Sequence, residues 1–405
     1  MADLPLKGIR VIDLGHEWAC PHTARFLADF GAEVIKIEYQ KRLDFLRGGI
    51  TTNRAYDNKI PFWQVHRNKQ SLTLDLRDPL EKDIFEKLVI KSDIVLENSR
   101  PGVFDRLGLG YARLRQLKPD IIVISMSAFG NSGPEAQYRG YGGTIEALAG
   151  IQSLTGYGSD EPARRIREMD VTNGIMGAAA ALTALTARQQ TGQGDWVDLS
   201  EMESASHALI GEHLMDHAVN GTAVVPRGNR HPEFAPQGCY RCMGEEAWLV
   251  LSIQNDEEWG HLCRILDQPE WVSDTRFSTV QARREHHDEI DHHIGEWSRH
   301  RTALEATETL QASGIAAGPV LSVMDLTKDE HLQRRNYYQH LESSPEAERY
   351  PGFPFRLSRG DGRLLTRGPD LGSHNREIVS GLLGFPEARI PTIDPSQLGT
   401  SFEPV

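Results

Sequence analysis

The chain has 405 residues, and hydrophobic cores stop growing near roughly 250–300 residues, so two domains are expected. Its 44 basic and 57 acidic residues give a net charge of -13, the wrong sign for a surface that tracks a phosphate backbone, so nucleic acid is excluded as an expected partner. Apolar content of 39% and charged content of 25% are ordinary for a globular protein; no apolar run reaches the roughly 18 residues of a membrane span, and four cysteines do not make a disulfide framework. Residues 1–12 lack the basic stretch, apolar core and small-residue cleavage site of a secretory signal. A reducing cytoplasm is the expected compartment.

In chain order, residues 8–14 form a short β-rich run, and 21–30 carry helical spacing with Phe26, Leu27 and Phe30 on one side. Residues 32–38 and 71–76 read as strands, the second strictly alternating. Residues 78–91 read as a helix, with Asp78 as N-cap and Pro79 at its first position. A strand at 93–97, a helix at 111–117 and an apolar strand at 121–126 follow. Strand and helix alternating in this way argue for βαβ units, a parallel sheet and helices on both faces.

Residues 174–188 read as a long alanine-rich helix stopped by Thr191-Gly192-Gln193-Gly194. A strand at 196–200 and a helix to about 219 come next. Residues 220–236, rich in Gly, Pro, Asn and Arg, read as a linker or functional loop. A strand at 247–253, charged helices around 282–301, and a strand or turn at 314–320 make a second region. After Pro351 the chain is expected to return to the first domain, with a helix at 373–383.

Three stretches gain force from their order and spacing. The first is Gly8-Ile9-Arg10-Val11-Ile12-Asp13-Leu14, then Ala19-Cys20-Pro21 and residues 27–38. The second is Asn68-Lys69-Gln70-Ser71-Leu72-Thr73-Leu74-Asp75-Leu76, then Glu97-Asn98-Ser99-Arg100-Pro101-Gly102 and Arg106-Leu107-Gly108. The third is Asp170 with Gly174, then Arg188, Thr191-Gly192-Gln193-Gly194 and Val197-Asp198. Weaker pieces are Gly228-Asn229-Arg230-His231-Pro232 and residues 314–320. Together they resemble the class III CoA-transferases, the CaiB/BaiF type that includes formyl-CoA and carnitine CoA-transferases. One departure stands in the first stretch: Cys20 occupies the place of a family glycine.

The resemblance implies a large α/β domain with a Rossmann-like open parallel sheet at residues 1–200, completed by 350–405. A smaller α+β domain spans 225–325, with linkers at 201–224 and 326–349. It implies an interlocked-ring homodimer, or a hetero-oligomer with a related subunit. It also implies an acyl-CoA and a carboxylic acid as small-molecule partners. Coenzyme A thioester is the co-substrate, with no tightly bound cofactor and no metal.

Local sequence alone reads Asp170 as an N-cap before the long helix; the resemblance makes it the nucleophile. An aspartate carboxylate that takes the acyl group splits one difficult exchange into easier steps, and excluding water protects the anhydride. Family contacts to CoA carry over to Glu17, Trp18, Ala19, Asn98, Arg106, Arg139, Tyr141 and Met202. Tyr39 replaces a family arginine and is placed to stack on adenine; Lys41 or Arg42 is the substitute cation. Gly228, Asn229 and Arg230 form the expected lid, with Arg230 facing a second substrate carboxylate. The alternative within the same superfamily is an acyl-CoA racemase, which has a histidine where this chain has Tyr141; a phenol with an ordinary pKa of about 10 is a poor base. Formyl-CoA transferases carry glutamate at the position of Gly142, so its absence argues against oxalate and formate and leaves room for a larger acid such as succinate. Cys239-Tyr240-Arg241-Cys242 lacks two further ligands for zinc. The His286-His287 and His292-His293 pairs read as a solvated charged helix.

Overall fold

The computed structural model describes residues 4–47, 56–158, 165–166, 169–341, 348–360 and 362–399. The chain divides into two compact units: residues 1–152, 165–222 and 334–405 form the first, and 153–164 with 223–333 form the second.

The first unit is built on six parallel strands: β1 (Arg10–Asp13), β2 (Glu33–Glu38), β3 (Lys69–Thr73), β4 (Ile94–Glu97), β5 (Ile122–Ser127) and β6 (Trp196–Ser200). They lie in the order β3-β2-β1-β4-β5-β6. Strand order reverses between β1 and β4, the switch point where ligands of open α/β sheets bind. Alternation along each strand feeds two cores. Val11, Val34, Ile94, Leu96, Ile122 and Ile124 face helices α1 (Ala19–Asp29) and, further along the chain, 169–191. Ile12, Ile35, Ile37, Leu72 and Val95 face a helix at 79–90 and the C-terminal Ile378 and Val379. Both faces are covered, which is why these strands are apolar on both sides.

Helix α2 (Ile60–His66) precedes β3, which begins two residues earlier than the alternation predicts. Its pairing with β2 closes at Glu38 and Thr73, and residues 75–78 turn into α3 (Pro79–Ile90). The expected cap is present: the Asp78 carboxylate accepts from the amides of Leu80 and Glu81. Helices α4 (Val103–Arg106) and α5 (Tyr111–Leu117) link β4 to β5, and α6 (Gly142–Leu148) follows β5. Helix α7 (Met169–Thr191) starts five residues before the predicted helix. It runs alongside α1 through small residues. A Cβ on Gly174 would come within 2.8 Å of His22 Cβ, and one on Gly177 within 2.3 Å of Thr23 Oγ1. Helix α8 (Glu201–Asn220) follows β6 and ends at Gly221 in the left-handed region. In place of the expected terminal helix at 373–383, residues Glu377–Leu382 form a short π-helix.

The second unit has an antiparallel sheet of β7 (Gln237–Arg241), β8 (Trp248–Ser252) and β9 (Ala316–Pro319). Helices α9 (Asp256–Ile265), α10 (Val280–Glu285), α11 (His287–Ser298) and α12 (Ala303–Ala312) cover it. Trp259, Trp271, Phe277, Ile290, Ile294 and Leu310 fill the core between them. The α11 segment is therefore not a purely solvated helix: His287 is buried and accepts from the Gln237 amide at 3.2 Å. Among the described residues, no helix is long and apolar enough to cross a membrane.

Candidate active site

The loops after β1 and β4 meet at the switch point. The His16 amide donates to Asn98 Oδ1 at 2.8 Å, and Asn98 Nδ2 donates to the His16 carbonyl at 2.9 Å. The β1 loop is also anchored from below. The Gly15 amide donates to Asp13 Oδ1 at 2.9 Å, and the ammonium of Lys36 donates to the Gly15 carbonyl. Glu17 is held at φ 65°, a conformation that costs a non-glycine residue energy, with its amide directed at Asp44 Oδ2 3.2 Å away. Trp18 caps α1, and Ala19 opens that helix fully covered. Cys20, in the place of the family glycine, is wholly buried.

Parallel packing of α7 on α1 decides where Asp170 goes. Gly174 meets Ala19 and His22, so the turn before Gly174 lies beside the Glu17–Trp18 end of α1. Asp170 sits in the first turn of α7, inside the helix rather than before it. Its Oδ2 would lie 3.0 Å from a Cβ on Gly142, so the missing side chain there opens space directly at the carboxylate. Among the described residues, no hydrogen bond fixes that carboxylate. Burial raises the Asp170 pKa above its ordinary 3.8; Arg165 opposes the rise and Glu146 adds to it.

A third carboxyl joins this pair. Glu201, the first residue of α8, is buried at the C-terminal edge of the sheet. Burial, then the charges of Asp170 and Glu17, push its pKa from 4.5 to about 8. Burial, Asp44 and Asp170 likewise lift Glu17 to about 7, with Arg42 opposing. Sequence reasoning missed Glu201, because a glutamate in the first turn of a helix is ordinary.

The remaining expected residues sort as follows. Tyr141 caps α6 beside Gly142 and is 65% exposed. Met202 lies next to Glu201, its amide bonded to the Ala128 carbonyl at 3.0 Å. Arg106 and Arg139 are exposed and form no ion pair among the described residues. Arg42 stands close enough to Glu17 to oppose the rise in its pKa. Tyr39 has one ring face covered by Arg77, whose guanidinium carbon is 4.7 Å from the centroid and which also hydrogen-bonds the phenol.

Gly228, Asn229 and Arg230 belong to the second unit. Gly228 adopts φ 60° with Tyr157 where a Cβ would go, and Asn229 Nδ2 donates to Tyr157 Oη at 3.2 Å. The Arg230 guanidinium is engaged by Asp288 and, at 2.8 Å, by Asp291. This turn lines a cavity of about 950 Å³ within the second unit, with Arg227, Arg241 and Arg284 among its walls.

A half-buried carboxylate beside the loop at the switch point of a doubly wound sheet marks an α/β fold with a carboxylate at its candidate ligand site. The sequence profile described as CoA-transferase family III matches residues 6–375, and the chain belongs to that family. It is an enzyme of the CoA-transferase type. It is 35% identical to the succinyl-CoA–D-citramalate CoA-transferase of Chloroflexus aurantiacus, over 95% of each chain. It is 29% identical to the beta subunit of the succinyl-CoA–L-malate CoA-transferase of the same organism, over 96% of each chain. The crystal structure of a CaiB/BaiF family protein from Brucella suis superposes with a TM-score of 0.83 at 28% identity, covering 94% of this chain and all of that one.

Proposed function

We propose that this enzyme moves CoA from an acyl-CoA donor, succinyl-CoA, to an organic acid, with Asp170 as covalent nucleophile. The observation that carries the reading is the position of Asp170: half-buried, with no hydrogen bond among the described residues, and facing the side-chain-free Gly142 beside the β1 loop. A desolvated carboxylate attacks a thioester better than a hydrated one, and its raised pKa marks stronger nucleophilicity.

Asp170 Oδ adds to the thioester carbonyl carbon and the C–S bond breaks. A mixed anhydride forms and CoA thiolate leaves. The thiolate then attacks the aspartyl carbonyl, giving an aspartyl-CoA thioester and the donor acid. The acceptor carboxylate attacks that thioester, and CoA attacks the new anhydride to release the product thioester and regenerate Asp170. On this reading Glu17, Trp18, Ala19, Asn98 and Met202 line the pantetheine and acyl end. Arg106, Arg139 and Arg42 meet the phosphates, which need cations, and Tyr39 and Tyr141 border the CoA path.

Gly228 and Asn229 supply the lid turn. Arg230, already engaged by two aspartates, is assigned to anchoring that turn. Residues 1–200 with 350–405 act as the large domain and 225–325 as the small one, with 201–224 and 326–349 crossing between them. The assembly is a cytoplasmic dimer of like chains. The subunit wording in the relative's name makes an unlike partner the competing outcome of a co-purification test.

The test is intact mass after incubation with succinyl-CoA and a panel of other acyl-CoAs, with Asp170→Asn alongside. The expected result is an acyl- or CoA-sized adduct on the wild type, removed by hydroxylamine and missing from the variant. No adduct with any thioester, together with exchange of the α-proton of an acyl-CoA, would replace this reading with the racemase.

A further inference from the structure

Buried polar side chains on α7, β5 and α8 have no hydrogen-bond partner among the described residues. Asn173, wholly buried and three residues beyond Asp170, bonds through neither amide atom. The hydroxyls of Ser127 and Ser204 are also buried and unbonded. Native proteins leave few such atoms, and a group of them calls for a ligand or a catalytic role.

Two of them lie on the helices that carry Asp170 and Glu201. Asn173 shares a face of α7 with Gly177, where a Cβ would come within 2.9 Å of Met126 Sδ, on the sheet face that α7 covers. Ser127 alternates with Met126 and so faces the other side of the sheet, paired in register with Ser200. Ser204 lies one turn along α8 from Glu201. Glu201 itself forms no hydrogen bond through its carboxyl among the described residues, yet it is only 7% exposed. Helices α7 and α8 therefore each carry a buried, unsatisfied polar side chain one turn from a carboxyl, Asn173 from Asp170 and Ser204 from Glu201.

Resting on the reading of Asp170 as nucleophile, we propose that the Glu201 carboxyl donates a hydrogen bond to the carbonyl oxygen of the acyl group under transfer. When an Asp170 oxygen bonds to the thioester carbon, the carbonyl π pair moves onto that oxygen, where the Glu201 O–H meets it. The pair returns as the C–S bond breaks and thiolate leaves with the bonding electrons. Glu201 keeps its proton throughout.

Its surroundings fit a donor. Burial, then the negative charge of Asp170 on α7 and of Glu17 in the β1 loop, push its pKa to about 8. Arg165 and Glu146 act on Asp170, and Asp44 and Arg42 act on Glu17. A neutral carboxylic acid in a dry site is an effective oxyanion donor.

The experiment is single-turnover labelling of Asp170 by whichever acyl-CoA labels the wild type, followed by mass across a pH series through about 8. Glu201→Gln, Glu201→Met and Glu17→Gln are compared. Wild-type labelling slows as pH rises through that value. The Gln variant, whose amide still donates and cannot ionise, labels within about tenfold of wild type and loses the high-pH fall. The Met variant is slower by about 10²–10³-fold, the usual cost of an oxyanion donor, and Glu17→Gln keeps the fall. Wild-type rates in the Met variant, or a high-pH fall that survives in the Gln variant, would overturn the proposal. Should the Met variant fail to fold, the Gln profile decides alone. Failure of the nucleophile reading looks different: Asp170→Asn would retain full transfer activity.

Discussion

Replacing Glu201 by Gln should make the protein more stable, and the gain should depend on pH in a way fixed by the site. The buried carboxyl titrates near 8 in the folded chain and near 4.5 when exposed. Between those values the folded state binds more protons than the unfolded one, so stability falls as pH rises from about 4.5 and levels off above about 8. At pH 7 the cost is about 3 kcal/mol, from about 1.36 kcal/mol for each pH unit above the ordinary pKa. A buried amide keeps part of the desolvation cost, so the expected net gain is about 1–2 kcal/mol. For a unit of this size that is a rise in Tm of about 3–6 °C. Thermal melts of both proteins near pH 5 and above pH 8 test it. The variant should be no more stable than wild type at the acid end and should exceed it at the alkaline end. A difference that does not change with pH, or a loss at both, would refute the argument that Glu201 is held neutral by its neighbours.

Three further outcomes follow from the same geometry. Gly142→Ala places a methyl 3.0 Å from Asp170 Oδ2 and 2.9 Å from Arg165 Nη2; labelling of Asp170 should slow by about tenfold or more through misplacement of the nucleophile, while the melting temperature holds. Arg67→Leu strips the buried Asp29 carboxylate of a partner 2.8 Å away and should cost about 3–5 kcal/mol in urea unfolding, with Arg67→Leu/Asp29→Leu recovering much of it. Arg230→Met should leave the KM for the acceptor acid within about threefold and stability within about 1 kcal/mol, because this exposed guanidinium is spent on Asp288 and Asp291; a large rise in KM would return Arg230 to the substrate.

Much of the frame was legible because its signals are local. The Asp78–Pro79 cap, the apolar run of residues 121–126 and the Gly192 stop each state their structure within a few residues. The start of α7 was not legible. Met169-Asp170-Val171-Thr172-Asn173 is poor in strong helix formers, and it is helical because Gly174 and Gly177 let α7 press against α1. That contact is also what brings Asp170 to the β1 loop. The buried face of α11 was hidden by its charges: Ile290 and Ile294 are one turn apart amid Asp, Glu and His. Glu201 carried no signal at all, since its meaning comes from two carboxyls 31 and 184 residues away in sequence. Asn98 could be placed by resemblance, but its two hydrogen bonds with the His16 backbone belong to strand order, which periodicity does not give.

The polar interior beneath the β1 loop explains why such a site can persist. Asp13, Lys36, Asp44, His66 and Lys69 are all buried within one layer. Lys69 pairs with Asp13 at 2.8 Å and Lys36 with Asp44 at 3.6 Å. Burial and the two lysines hold His66 well below its ordinary pKa, so it is neutral and the two pairs balance. A buried ion pair is weak as a source of stability, but it is a rigid one: moving any member strands another charge. The β1 loop is bonded to three members of this set, through Gly15 to Asp13 and Lys36 and through Glu17 to Asp44. Glu17 is thereby held in a left-handed conformation that a mobile loop would relax. Its carboxyl then adds to the field that keeps Glu201 protonated. The strain at Glu17 and the desolvation of Glu201 are both destabilising, and both act at the nucleophile. This is where stability is expected to be traded for function.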